Sequence, residues 1–290
     1  MEGDKPSLPP AARAAVRAWY APRARLYAWR RGRPSAYRTL VSEVMLQQTQ
    51  AARVEPRFVA FIGRFPTPRS LAAASRAEVL REWAGLGYNR RAVALHEAAR
   101  AVVAEHRGRI PVDIGALRKL PGVGPHTAAA VMSIAGGCPH AAKEVNVRRV
   151  IGRVGFGTTD APVASVDETA TRWLDRRDPG AWNQALMDLG REHCRARPRC
   201  DGCPLARWCR ARRAGAVAHS PAKPQGRFEG SMRQVRGRIV DVLRARSSAG
   251  PVALARAARC SEARVAEAIA GLMRDGVIEP SGRSYRLARG

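Results

Sequence analysis

The stretch "LRKLPGVGPHTAAAVMSIA", Leu117–Ala135, decides the fold. An apolar helical segment ends at Leu120, and a second runs from His126. Between them Pro121, Gly122 and Gly124 leave space for a tight turn only. Glycine lets backbone N–H groups approach a ligand unshielded. The N-terminus of the second helix adds a partial positive charge. Together they suit a phosphate oxygen, with Gly122, Val123, Gly124 and Thr127 as candidate contacts. A lone Gly-x-Gly carries little information; this longer string at a helix–helix junction is specific.

On either side the apolar spacing stays helical. "SEVMLQQTQAARVEPRFVAFIGRF" reads as one helix from a Ser42 cap, and "SLAAASRAEVLREWAGLG" as a helix begun at Ser75 and ended by Gly85 and Gly87. "RRAVALHEAARAVVAEHRG" stops at Gly108, and "VNVRRVIGRV" and "AWNQALMDLGREHC" follow the hairpin. Alternating strand patterns are nearly absent before the C-terminus, which predicts an all-α protein with short connections. Residues 214–231 have the Pro/Gly content of a linker. Residues 232–290 restart the pattern with three helices and a strand–turn–strand. That order predicts a small winged helix-turn-helix, with residues 261–274 as its recognition-type helix.

The chain has 290 residues, enough for two or three units. Lys and Arg number 51 against 24 Asp and Glu, a net charge of +27 that attracts polyanions such as nucleic acid. No apolar run is long enough for a membrane helix. The opening "MEGDKPSLPP" lacks a basic-then-apolar signal, so a cytoplasmic location is expected, beside the nucleoid in a bacterium.

Three constellations carry chemistry. Cys194, Cys200, Cys203 and Cys209 follow an x5, x2, x5 spacing in an arginine-rich loop. Four thiolates so placed hold an iron–sulfur cluster or zinc; only one close pair and wide outer gaps favour one 4Fe–4S cluster. Its main expected role is to support a phosphate-facing surface. In "LVSEVMLQQTQ", Glu43 sits on an otherwise apolar helix face, and Gln47, Gln48 and Thr49 offer groups that read a base edge. In "AAKEVNVRRV", Glu144 is open to three readings: surface carboxylate, helix cap, or centre of a reaction.

"WR" (Trp29–Arg30), "SEVMLQQTQ", "FPTPRSLA", "WAGLGYNRRA", "LPGVGPHTA", "NVRRV", "ALMDLG" and the four cysteines stand in an order that resembles the MutY-type adenine DNA glycosylases. These belong to the helix–hairpin–helix base-excision superfamily that includes endonuclease III. The resemblance covers roughly residues 15–213. It implies two helical domains, residues 1–30 with 138–213 and residues 31–137, and a monomer acting on double-stranded DNA with a mispair or lesion. It implies that the enzyme flips out an adenine opposite 8-oxoguanine or guanine and excises it without cutting the strand. Glu43 matches the acid that protonates the base, and Asn146 an orienting residue. Trp29, Arg30, Leu46, Gln48, Thr49, Leu86 and Tyr88 match the base pocket or lesion contacts, with Tyr88 as a wedge.

Five departures qualify the match. The family places Asp where this chain has Glu144, a shift of the carboxylate by about 1 Å. Lys143 takes a normally apolar position, where it pairs with Glu144 or reaches a phosphate. His126 stands where lyases of the superfamily carry Lys and MutY-type enzymes Ser or Tyr; it is expected to line the base pocket. Asn89 replaces a second Tyr. The C-terminal residues are too few for the larger lesion-inspecting domain of many relatives. A paralogue with another base preference and a weakly catalytic lesion-binding protein are the alternative readings.

Overall fold

The computed structural model describes residues 6–32, 34–215 and 226–290. Its helices are α1 (Pro10–Tyr20), α2 (Ala36–Leu46), α3 (Ala51–Arg64), α4 (Pro68–Ala73), α5 (Arg76–Glu82), α6 (Arg90–Glu105), α7 (Ile114–Lys119) and α8 (Pro125–Ile134). Then come α9 (Val145–Ile151), α10 (Val163–Trp173), α11 (Pro179–Glu192), α12 (Arg210–Arg213), α13 (Met232–Ala245), α14 (Pro251–Ala258) and α15 (Glu262–Arg274). Strands β1 (Ile278–Ser281) and β2 (Ser284–Leu287) pair antiparallel, Ile278 opposite Leu287. Among the described residues no helix is long and apolar enough to cross a membrane.

Contacts divide the chain into two units. The first holds residues 1–43, 112–119 and 123–224; the second holds 44–111, 120–122 and 225–290. These limits differ from the domain limits expected from the sequence, because α7 and α8 join the cysteine-bearing unit. The reason is a buried amide. Asn183 of α11 donates to Ser133 Oγ of α8 at 2.9 Å and to the His140 carbonyl at 2.8 Å, and accepts from the Ala142 N–H at 3.1 Å. One side chain thus ties α8 and the strand-like run before Glu144 to α11. Around this seam the first unit's core gathers Val16, Tyr20, Val147, Ile151, Trp173 and Leu189.

The single helix expected over Ser42–Phe65 is two. Residues 47–50 break it, with Gln48 at φ 56°. Ser42 is therefore no cap; it is buried inside α2, and its hydroxyl donates to the Thr39 carbonyl at 3.0 Å. Ser75 does cap α5, in a reciprocal box with Glu78. Three helices, α13–α15, precede the β1–β2 ribbon, the element order expected for residues 232–290. Ser231 caps α13 through the Gln234 N–H. Most of the proposed linker lies outside the described residues.

Candidate active site

Two side chains of the first unit meet at the start of α8, and the charge of a third bears on them. Pro125 pre-sets the first turn of this helix, and His126 follows it. His126 Nε2 lies 3.2 Å from Glu43 Oε2 on α2. The Glu43 side chain is 10% exposed and that of His126 28%. Burial works against a charged His126. The hydrogen bond and charge of Glu43, with the charge of Glu144, outweigh burial and the opposing Arg148, so the ring holds its proton above the usual imidazole range.

Glu144 caps α9. Its Oε1 accepts from the Val147 N–H at 2.9 Å, and its Oε2 from Asn146 Nδ2 at 3.1 Å. The cap reading and the site reading are therefore compatible: the longer side chain folds back on to its own helix and still bears on His126. Burial pushes the Glu144 carboxyl above the usual range, against the pull of the Asn146 and Val147 hydrogen bonds, His126 and Arg149. Among the described residues Lys143 makes no ion pair with it.

A polar stripe runs from this carboxylate along α9 and the π-helical turn that follows it, Gly152–Phe156. Asn146, Arg149 and Arg153 recur at three- and four-residue steps, while Val147, Val150 and Ile151 face the core. Asn146 Oδ1 accepts from Arg149 Nη2 at 2.6 Å. Arg149 also donates to the Gly190 carbonyl at 2.9 Å and, through Nε, to the Cys194 carbonyl. Arg153 is 2% exposed; it donates to the Arg195 and Ala196 carbonyls at 2.5 and 3.1 Å and lies 3.5 Å from Cys194 Sγ. Gly190 lets this stripe close: a Cβ there would sit 2.5 Å from Asn146 Cβ. Sequence reading missed Arg149, Arg153 and Asn183 as positioning residues. The polar repeat along an otherwise apolar helix was the available signal.

Cys194, Cys200, Cys203 and Cys209 line one cavity with Arg153, Leu189 and His193. Among the described residues no three His, Cys, Asp or Glu side chains gather tightly enough to hold a single metal ion. The loop around the thiols exposes Arg195, Arg197, Arg199, Arg207, Arg210 and Arg212.

Other expected site residues are placed differently. Arg30 is held in a two-pronged pair with Asp188, at 2.6 and 3.0 Å, so its guanidinium is committed to the scaffold. Trp29 stacks on Tyr27 with ring centroids 4.6 Å apart. Thr127 and Val123 are both buried. Gly122 stands at φ +74°, and a Cβ there would meet Ala94 Cβ at 2.8 Å. In the second unit, half-buried Leu46 ends α2, Gln48 is exposed, Leu86 is buried and Tyr88 is 40% exposed.

The second unit also contains an organiser that the sequence reading missed. Arg91 Nη1 donates to the Val44, Met45 and Gln47 carbonyls at 2.9, 2.9 and 2.6 Å. Its Nη2 donates to Thr49 Oγ1 at 3.1 Å and to the Leu86 and Gly87 carbonyls at 3.0 and 3.1 Å. Burial pushes this guanidinium down to about 10, partly offset by Tyr88.

Chemically, a buried carboxyl paired with an imidazole can deliver a proton, and a second carboxylate nearby can face a developing cation. Comparison with known proteins narrows that range. Residues 41–176 match the model of the HhH-GPD superfamily base excision DNA repair proteins. The adenine DNA glycosylase of Mycolicibacterium smegmatis is 45% identical over 229 residues, covering 78% of each chain. The human adenine DNA glycosylase is 40% identical over 213 residues, covering 69% of this chain and 39% of that one. Among solved structures, a thermostable thymine-DNA glycosylase superposes with TM-score 0.64 at 28% identity, over 69% of this chain and 94% of that one. A trapped endonuclease III–DNA covalent intermediate gives 0.59 at 26%, over 70% and 96%.

Proposed function

The chain belongs to the adenine DNA glycosylases of the HhH-GPD superfamily, and on that premise we propose that it excises adenine mispaired with 8-oxoguanine or guanine in double-stranded DNA. The observation that carries this is the pairing of Glu43 with His126 at 3.2 Å, with the charge of Glu144 bearing on the same ring, inside a chain 45% identical to an adenine DNA glycosylase.

The target base leaves the stack and enters the pocket, the unstacking offset by phosphate and wedge contacts. The backbone N–H groups of Gly122–Thr127 take phosphate oxygens at the start of α8. Tyr88 enters the stack beside the opposite base, with Gln48, Thr49 and Leu46 around it. Glu43 supplies the proton that turns the base into a leaving group. The C1′–N bond breaks with its electron pair on the base, and the Glu144 carboxylate stabilises the cationic sugar. Asn146 fixes one Glu144 oxygen by hydrogen bond. No lysine stands at position 126, which supports a glycosylase that leaves the strand intact. The chain acts as a monomer, and residues 232–290 are read as a winged helix-turn-helix.

The donor set suits a 4Fe–4S cluster, held by Cys194, Cys200, Cys203 and Cys209 around their shared cavity. When bound, such a cluster supplies rigid cross-linking of the arginine-rich loop. Arg153 holds two carbonyls of that loop, those of Arg195 and Ala196.

Single-turnover excision on duplexes placing A opposite 8-oxoguanine, G, C or T tests the reading. Adenine release is expected opposite 8-oxoguanine and G, with strand cleavage only after alkali. Cleavage without alkali removes the strand-sparing claim. No release from any duplex by cluster-loaded protein removes the enzyme reading. Glu144 and His126 favour one second reading, the same scaffold turned to another mispaired base; release of a base other than adenine would establish it.

A further inference from the structure

We propose that His126 and Glu43 hold one proton in common, and that this pair, not Glu43 alone, is the acid that releases the base. The substrate in this statement rests on the excision reading above; the pairing does not.

The two side chains reach each other from different helices, His126 from α8 and Glu43 from α2, at 3.2 Å. Both are largely withdrawn from water. The second ring nitrogen, Nδ1, is buried and makes no hydrogen bond. Nδ1 carries a hydrogen in either state, because the neutral ring that accepts at Nε2 is the Nδ1–H tautomer and the imidazolium has both hydrogens. The change of protonation is therefore confined to the Nε2···Oε2 contact. A proton shared there avoids the full charge separation of a buried ion pair.

The charged groups facing the ring are Glu43 of α2 and, on α9, the capping Glu144 and Arg148. Burial disfavours the protonated ring, and Arg148 opposes it too. The hydrogen bond and charge of Glu43 and the charge of Glu144 prevail, and the ring keeps a proton above the usual imidazole range. The pair therefore remains an acid at a pH where an isolated carboxyl has lost its proton.

The step balances. The shared proton moves to a ring nitrogen of the base as the C1′–N bond breaks, its electrons leaving with the base. Water adds to C1′, and the proton it loses returns to the pair. His126 acts through Glu43, as a residue that positions and retains the proton.

Two measurements decide the matter. The first is the pH profile of single-turnover excision, native against His126→Gln, which keeps an amide donor toward Glu43 but cannot titrate. The native rate is expected to persist above the ordinary imidazole range. His126→Gln is expected to fall at least one pH unit earlier, so that it is about tenfold or more slower near pH 8 and closer to native at the acid end. A uniform loss with an unshifted profile would show a packing role and overturn the proposal. The second is an NMR titration of the His126 ring without DNA. Glu43→Gln is expected to lower its midpoint; an unmoved midpoint overturns the pairing. If the midpoint falls but the native protein releases no adenine, the pairing stands and the substrate reading fails.

Discussion

Glu144 does two things with one carboxylate. It caps α9 through Val147 and stands, braced by Asn146, where negative charge bears on His126. A substitution can separate these roles. Glu144→Gln keeps an oxygen for the Val147 N–H and loses the charge. It is expected to fold and bind duplex as the native protein does, with excision lower by on the order of 100-fold or more. Excision within a few-fold of native in a single-turnover assay would remove Glu144 from the chemistry. Aspartate is the better N-cap by preference, so Glu144→Asp is expected to unfold in urea within about 1 kcal/mol of native. "AAKEVNVRRV" left the cap and the reaction centre as alternatives because sequence shows only that a carboxylate precedes an apolar helix. That one carboxylate caps α9 and still bears on His126 follows from the side chain's fold-back.

At the level of elements, α2 and α3 are separated by a kink that apolar spacing does not reveal. Periodicity runs through Leu46–Gln50 unbroken, and the break depends on Arg91, about forty residues away, which takes the freed carbonyls of Val44, Met45 and Gln47. The same guanidinium holds Leu86 and Gly87, so one planar group shapes both segments expected to meet the opposite base. Arg91→Ala is expected to cost about 3 kcal/mol in urea unfolding and to depress excision at sub-saturating duplex. Arg91→Lys is expected to recover little, since an ammonium cannot fork to acceptors on two sides. Recovery to native stability by Lys would mean that charge alone suffices. The turn between α7 and α8 and the Ser75 start of α5 were legible because each is fixed by neighbours in sequence. Arg91, Asn183 and Arg153 were not, because a buried polar residue takes its meaning from carbonyls brought to it by the fold.

For the whole molecule, the +27 charge is mostly arginine, and much of that arginine does internal work. Arg17, Arg30, Arg148, Arg236 and Arg286 each pair with a carboxylate. Others donate to carbonyls and join segments distant in sequence, and this is how the C-terminal module is fixed within the second unit. Arg244 of α13 donates from Nε to the Leu80 carbonyl at 2.9 Å and from Nη2 to Asn89 Oδ1 at 2.8 Å. The Arg289 carbonyl accepts from the Arg76 N–H at 3.1 Å, and Arg233 Nη1 lies 3.5 Å from Tyr88 Oη. Asn89, a departure from the family's second Tyr, thus has a partner in the part of the chain that departs most. The two departures are one arrangement if their energies are coupled. In a double-mutant cycle of Arg244→Ala and Asn89→Ala, followed by urea unfolding, a coupling of about 1–2 kcal/mol is expected. The hydrogen bond is charge-assisted and the Arg244 side chain is only 12% exposed, so solvent screens it little. Simple additivity of the two losses would show that Asn89 was free to change for other reasons, and that its bond to Arg244 plays no part in holding the module.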